Sequence, residues 1–107
     1  MKGAIIARRP IENKYRADYD ILIDSIEEDV DLGALSDFPI ITIYFDPTDY
    51  PGKYVARIFD IRPGEVCRLQ YIMLGESLEE IRLRMPESFV RMDRKLEDDE
   101  KILEVWI

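Results

Sequence analysis

Val66-Cys67-Arg68-Leu69-Gln70-Tyr71-Ile72-Met73-Leu74 sets Cys67, Leu69, Tyr71 and Met73 on one side of an extended chain, with Arg68 and Gln70 on the other. A period of two marks a strand with one face buried. Immediately before it, Arg62-Pro63-Gly64-Glu65 has the residue types of a tight connection, and Lys53 to Ile61 reads as the preceding strand. Ile40-Ile41-Thr42-Ile43-Tyr44-Phe45 is dense in β-branched and aromatic residues and reads as another strand. The loop Asp46-Pro47-Thr48-Asp49-Tyr50-Pro51-Gly52 joins these two. Three strands with short links predict an antiparallel meander.

Downstream, Ser77-Leu78-Glu79-Glu80 has the form of a capping box, in which a Ser hydroxyl and a Glu carboxylate satisfy the first free N–H groups of a helix. Leu78, Ile81 and Met85 then lie along one side of a short helix, and Pro86 stops it. Phe89 to Met92 reads as a short strand and Glu97 to Glu100 as a solvated turn. Lys101 to Ile107 closes the chain as a strand, with Leu103, Val105 and Ile107 alternating against Lys101 and Glu104. Upstream, residues 2–9 form a short edge strand or an ordered arm ended by Pro10, and Asn13 is placed to cap a helix. Tyr15, Tyr19, Leu22, Ile23, Ile26 and Val30 fall on one face of that helix, which Gly33 would end. A strand over Tyr19–Ile26 is the competing reading, because Ile21-Leu22-Ile23 suits either state. The fold class expected is α+β: an antiparallel β-meander with a C-terminal helix–strand unit, plus an N-terminal acidic helix. The chain is read as one domain, with a basic arm over 1–16, an acidic helical segment over 17–37 and a sheet-plus-helix body over 38–107.

At 107 residues and 47% hydrophobic content the chain can bury one modest core. It has no His, which excludes Ser-His-Asp and Cys-His relays and HExxH zinc sites. The single Cys67 cannot form an intrachain disulfide or a thiolate zinc site and reads as a small buried hydrophobe. No glycine-rich phosphate loop is present, and the apolar run Ala4 to Ala7 is far shorter than the ~20 residues a bilayer needs. The expectation is a cytoplasmic protein with no cofactor, no metal and no catalytic residue. Its 23 acids make close carboxylate pairs inevitable, so a small carboxylate enzyme is the least favoured reading.

The net charge of −8 is unevenly spread. Residues 1–16 hold five basic residues and one acid, a net +4; residues 17–37 hold eight acids and no base, a net −8. Such a chain is repelled by nucleic acid and by anionic membranes, so the expected partner is a basic protein. Asp18, Asp20, Asp24, Glu27, Glu28 and Asp31 are the candidate contacts: an acidic face of phosphate-like density, or a solvated surface that keeps the protein soluble. The aromatics Tyr15, Tyr19, Tyr44, Tyr50, Tyr54, Tyr71 and Trp106 either line the core or supply surface anchors, with Tyr50 and Trp106 the candidate anchors. Asp46, Thr48 and Asp49 could ligate Mg²⁺, but turn chemistry needs the same residue types without a ligand.

The stretch Phe38-Pro39-Ile40 through Arg57, with its core Asp49-Tyr50-Pro51-Gly52-Lys53-Tyr54-Val55-Ala56-Arg57, resembles an uncharacterised family of small phage and mobile-element proteins of Gram-positive bacteria. Ser77-Leu78-Glu79-Glu80-Ile81-Arg82 and Glu104-Val105-Trp106-Ile107 are similar too, so the resemblance covers about residues 38–107. It implies a mobile-element setting and brings no activity, cofactor or site residue. With the charge distribution it suggests a non-enzymatic, stoichiometric inhibitor of a basic, nucleic-acid-handling protein, anti-CRISPR-like in manner. The alternative is a structural or assembly accessory that self-associates through a β edge and surface aromatics.

Overall fold

A computed structural model describes residues 20–93 and 100–107. In chain order the elements are β1 (Ile21–Leu22), α1 (Ile26–Asp29), α2 (Leu32–Leu35), β2 (Pro39–Phe45), β3 (Tyr54–Arg62), β4 (Glu65–Gly75), α3 (Leu78–Leu83), β5 (Arg91–Asp93) and β6 (Ile102–Trp106). The strands form one sheet in the order β1-β4-β3-β2-β6-β5. The meander is β2, β3 and β4, each antiparallel to the next. Pro63 and Gly64 turn the β3–β4 hairpin, with Gly64 at φ 78°, a conformation glycine adopts without strain. The β2–β3 loop is tied internally: the Asp46 carboxylate accepts from the Gly52 N–H at 2.7 Å, and the Asp46 N–H donates to the Lys53 carbonyl at 2.9 Å.

The core lies between one face of the sheet and the short helices. Ile41 and Ile43 of β2, Ala56 and Ile58 of β3, and Tyr71 and Met73 of β4 pack with Ile26, Val30, Ile81 and Met85. The period-two pattern of β4 thus reports the helix-covered face. Ile72 and Val55, on the opposite face, are also fully buried. Continuous apolar runs of this kind belong to strands covered on both sides. α3 starts as the capping motif requires, with the Ser77 hydroxyl accepting from the Glu80 N–H at 3.1 Å. The Glu80 carboxylate returns its bond to the Glu76 N–H, one residue earlier than the usual box.

Two expectations need correction. Over its described part, the segment read as one acidic helix is instead β1 followed by two one-turn helices, α1 and α2. β1 pairs in parallel with β4, Ile21 opposite Tyr71 and Leu22 opposite Ile72, and the Ile23 N–H adds a bond to the Ile72 carbonyl. The ladder gives the inward-facing backbone groups of this edge strand their partners and places Ile21 and Ile23 against the core. The arm 1–16, Asn13 and Asp18 lie outside the described residues.

The second correction concerns β6. Trp106 stands opposite Ile41 and Glu104 opposite Ile43, so these two residues share the core face and Glu104 is buried. Ile107, expected inside, is exposed. A bulge between Ile43 and Tyr44 shifts the pairing, and the Glu104 charge is answered by Arg82 of α3 and Arg91 of β5. The short strand expected from Phe89 is β5, which starts two residues later. Among the described residues no helix is long and apolar enough to cross a membrane.

Ile58 is fully buried at the centre of the sheet, and Ile58→Ala should lower stability by about 2–5 kcal/mol. Gln70→Ala, on the opposite face of β4, should change it by less than about 1 kcal/mol. Urea denaturation of the two variants checks the register directly: equal losses would mean that β3 and β4 face the wrong way.

Candidate functional site

Ser25-Ile26-Glu27-Glu28 builds the first element of the site. The Ser25 hydroxyl accepts from the Glu28 N–H at 3.3 Å, and the Asp29 carboxylate accepts from the Asp24 and Ser25 N–H groups, both at 3.1 Å. This is the same Ser-x-x-Glu motif that marks α3, and the sequence carries it openly at 25–28. With its start fixed, α1 turns Ile26 into the core and leaves Glu27 and Glu28 outside. Asp31 leads into α2, exposed and without a capping bond from its side chain.

These residues border a groove of about 450 Å³. Its floor is apolar, made by the buried Ile26 and Val30 with the half-buried Leu32 and Phe89. The exposed Glu27, Glu28 and Asp31 form its acidic rim, and Pro86 and Ser88 complete the lining. Among the described residues no basic side chain lines it, and none bonds to Glu27 or Asp31. Asp24 lies just before α1, exposed, with its backbone carbonyl accepting from Arg84 Nη1 at 2.9 Å. Chemically the arrangement can receive a cationic side chain flanked by apolar ones.

Asp20 is placed elsewhere. It turns inward on the opposite face of the sheet, where it receives Arg57 Nη1 at 3.0 Å, Arg57 Nη2 at 3.1 Å and the Tyr50 hydroxyl at 2.9 Å. Asp49 also bonds to Arg57. The Arg57 side chain is only 6% exposed and that of Asp20 12%. Burial opposes ionisation of Asp20, but the hydrogen bonds from Arg57 and Tyr50 and the Arg57 charge outweigh it and hold the carboxyl below its ordinary range. Burial and the neighbouring Asp20 push the Tyr50 phenol up. A groove of about 490 Å³ opens beside Arg57, between Tyr44, Phe59 and Arg68. Arg57 itself is already committed to two carboxylates, so it does not offer this groove a free cation.

Tyr50 is therefore engaged with Asp20, and Trp106 donates from Nε1 to Glu104 at 3.1 Å. Of the candidate residues, the structure gathers Glu27, Glu28 and Asp31 on one groove. It joins Asp20 to Tyr50 in a separate buried cluster and places Trp106 against Glu104. Asp46 and Asp49 are spent on the turn and on Arg57, and among the described residues no group of three or more Cys, Asp or Glu side chains is placed to hold a metal ion. The groove floor was not foreseen as part of a site: Ile26 and Val30 read as core, and nothing in sequence brings Phe89 to them. Arg57 does carry a signal, an isolated charge inside Val55-Ala56-Arg57-Ile58-Phe59, which demands a carboxylate partner.

Comparison with known proteins gives no match: no family model, no curated protein and no solved structure is significantly similar to this chain. The resemblance drawn over residues 38–107 rests on those residues alone.

Two outcomes follow from the buried ion pairs. Arg57→Ala leaves Asp20 buried without its cation and should cost about 3–5 kcal/mol. Asp49→Ala should cost less than about 1 kcal/mol, because the Asp49 side chain is about half exposed. Chemical denaturation at neutral pH compares the two, and equal losses would show that the Asp20 contact is not the dominant one.

The second outcome is pH dependence. Asp60, held by Ser36 at 2.5 Å and by Arg62 at 2.6 Å, and Glu104, where burial is outweighed by bonds from Arg82, Trp106 and Arg91, also titrate below their ordinary values. Each lowered carboxyl contributes stability that is present above the unfolded value of about 4 and lost as pH falls through the lower folded value. Urea midpoints should therefore hold between neutrality and about pH 5 and drop steeply below about pH 4. Asp20→Asn should start lower at neutral pH and show a shallower acid slope.

Proposed function

We propose that this chain is a small, non-enzymatic binding protein that grips a basic segment of a partner protein in the groove bordered by Glu27, Glu28 and Asp31. The observation that carries the reading is a rim of three carboxylates beside an apolar floor of Ile26, Val30 and Phe89, with no basic residue in the lining among the described residues. A cation near such a rim gains from every carboxylate, and an adjacent apolar side chain gains from the floor. The described carboxylates border an apolar pocket rather than run along one long helix. That favours a Lys or Arg side chain with apolar neighbours over a long, flat basic surface. The absence of His and the half-buried state of the only thiol support a binding role over catalysis. With the resemblance to mobile-element proteins, the partner class is a basic, nucleic-acid-handling protein, and the mode of action is stoichiometric inhibition.

The test uses a synthetic amphipathic peptide of alternating Lys and Leu pairs as the probe. In NMR titrations, amide shifts should concentrate at residues 26–32 and 87–89, and affinity should fall at least tenfold as salt is raised from low to several-fold physiological strength. Glu27→Lys with Asp31→Lys should abolish binding at little cost in stability, since both side chains are exposed. Binding that survives the double reversal, or that maps to Tyr50 and Trp106, would defeat the proposal.

A further inference from the structure

β5 forms one end of the sheet, and its outer edge has no partner among the described residues. The direction of its backbone groups follows from the ladder beside it. Val90 and Ile107 exchange both of their backbone hydrogen bonds, at 2.7 and 3.0 Å. Antiparallel pairs alternate between bonded and non-bonded, so Met92 opposite Val105 also bonds inward, toward β6. Arg91 and Asp93, opposite Trp106 and Glu104, therefore point their N–H and C=O groups outward. All three residues of β5 are exposed.

We propose that this edge pairs with the same edge of a second copy of the chain, antiparallel, about a two-fold axis at Met92. The sequence of the edge is self-complementary under that operation. Arg91 of each copy, whose Nη1 bonds to Glu104 within its own chain and whose other guanidinium N–H groups are left for a second carboxylate, falls opposite Asp93 of the other, and each such pair is a bonded one, so four backbone hydrogen bonds form between the chains. Opposite charges directly across a strand pair are favourable, whereas a parallel or shifted register would not bring every Arg opposite an Asp. The two-fold also brings Met92 beside its own copy on the face away from the helices. There Val90, Met92 and Ile107, exposed by 62%, 46% and 43%, form an apolar strip that the second copy would extend into one continuous band. Two six-stranded sheets would then run together as a single twelve-stranded sheet.

The paired edge is short and its area lies below the ~1,200 Å² of stable complexes, so association is weak and depends on concentration. It does not involve the groove around α1, and the two proposals stand or fall separately.

Sedimentation measurements from micromolar to millimolar concentration should show reversible dimerisation. Asp93→Pro removes only an outward N–H and should weaken the dimer at least tenfold, with an unchanged thermal melt as the check on folding. Asp93→Arg, which sets Arg against Arg, should do the same. In a Cys67→Ser background, Met92→Cys should form a covalent dimer on mild oxidation, because side chains of a directly opposed non-bonded pair stand within about 4.5–5.5 Å. A chain that stays monomeric at millimolar concentration, or a dimer that Asp93→Pro leaves intact, overturns the proposal.

Discussion

A single guanidinium, Arg57, sits in the middle strand of the meander with almost no contact with water, and the placement of two peripheral segments depends on it. A buried cation must be neutralised. Here the neutralising groups come from 37 residues upstream, at Asp20, and from the loop that leads into its own strand, at Asp49. Tyr50 closes the cluster by donating to Asp20. The charge thus draws the entry to β1 and the β2–β3 loop onto the same face of the sheet. An apolar residue at 57 would leave that entry without a polar anchor, although β1 could still pair. What the ion pair supplies beyond energy is a fixed address for a segment that contributes only two residues to the sheet.

The same device recurs at the other side of the molecule with the signs exchanged. Glu104 is a buried carboxylate on β6, and its cations arrive from α3, through Arg82, and from β5, through Arg91. Trp106 adds a third donor. Breaking either cluster costs more than forming it contributes, because the surviving charge stays buried. The sheet is therefore centred on apolar packing, while its outer elements are positioned by charges that leave few alternatives.

The meander and α3 were legible in sequence because each rests on a local rule: alternation in β4, β-branched density in β2, a proline–glycine turn, and Ser77 with Glu80. The acidic segment was not, since Leu22, Ile23, Ile26 and Val30 fit a helical face and the actual break after Leu22 is set by a parallel pairing with β4, some fifty residues away. One local clue was present: Ser25 and Glu28 repeat the capping motif and mark a helix start inside the supposed helix. The burial of Glu104 was hidden for a related reason. Charge in a strand normally reports the wet face, and only the arrival of Arg82 and Arg91 reverses that. The rim of the candidate groove could be named from sequence as acidic residues, but its floor could not, because Phe89 meets Ile26 and Val30 only through the tertiary fold.

The parallel contact of β1 with β4 also bears on the order in which the molecule assembles. Hairpins between β2, β3 and β4 close over short loops, whereas Ile21 can meet Tyr71 only after a loop of about fifty residues has closed. Contacts of long sequence separation form late and open early. The topology therefore implies a kinetic division within one sheet: a meander that forms by itself and a two-residue strand that docks on it afterwards, held by a ladder shorter than any hairpin here. Hydrogen exchange would read that division as faster exchange at the Ile23 amide than at the amides of β3. Helices α1 and α2, which continue from that strand, would share its opening, so the acidic surface carried by α1 and Asp31 is linked to the shortest pairing among the described strands.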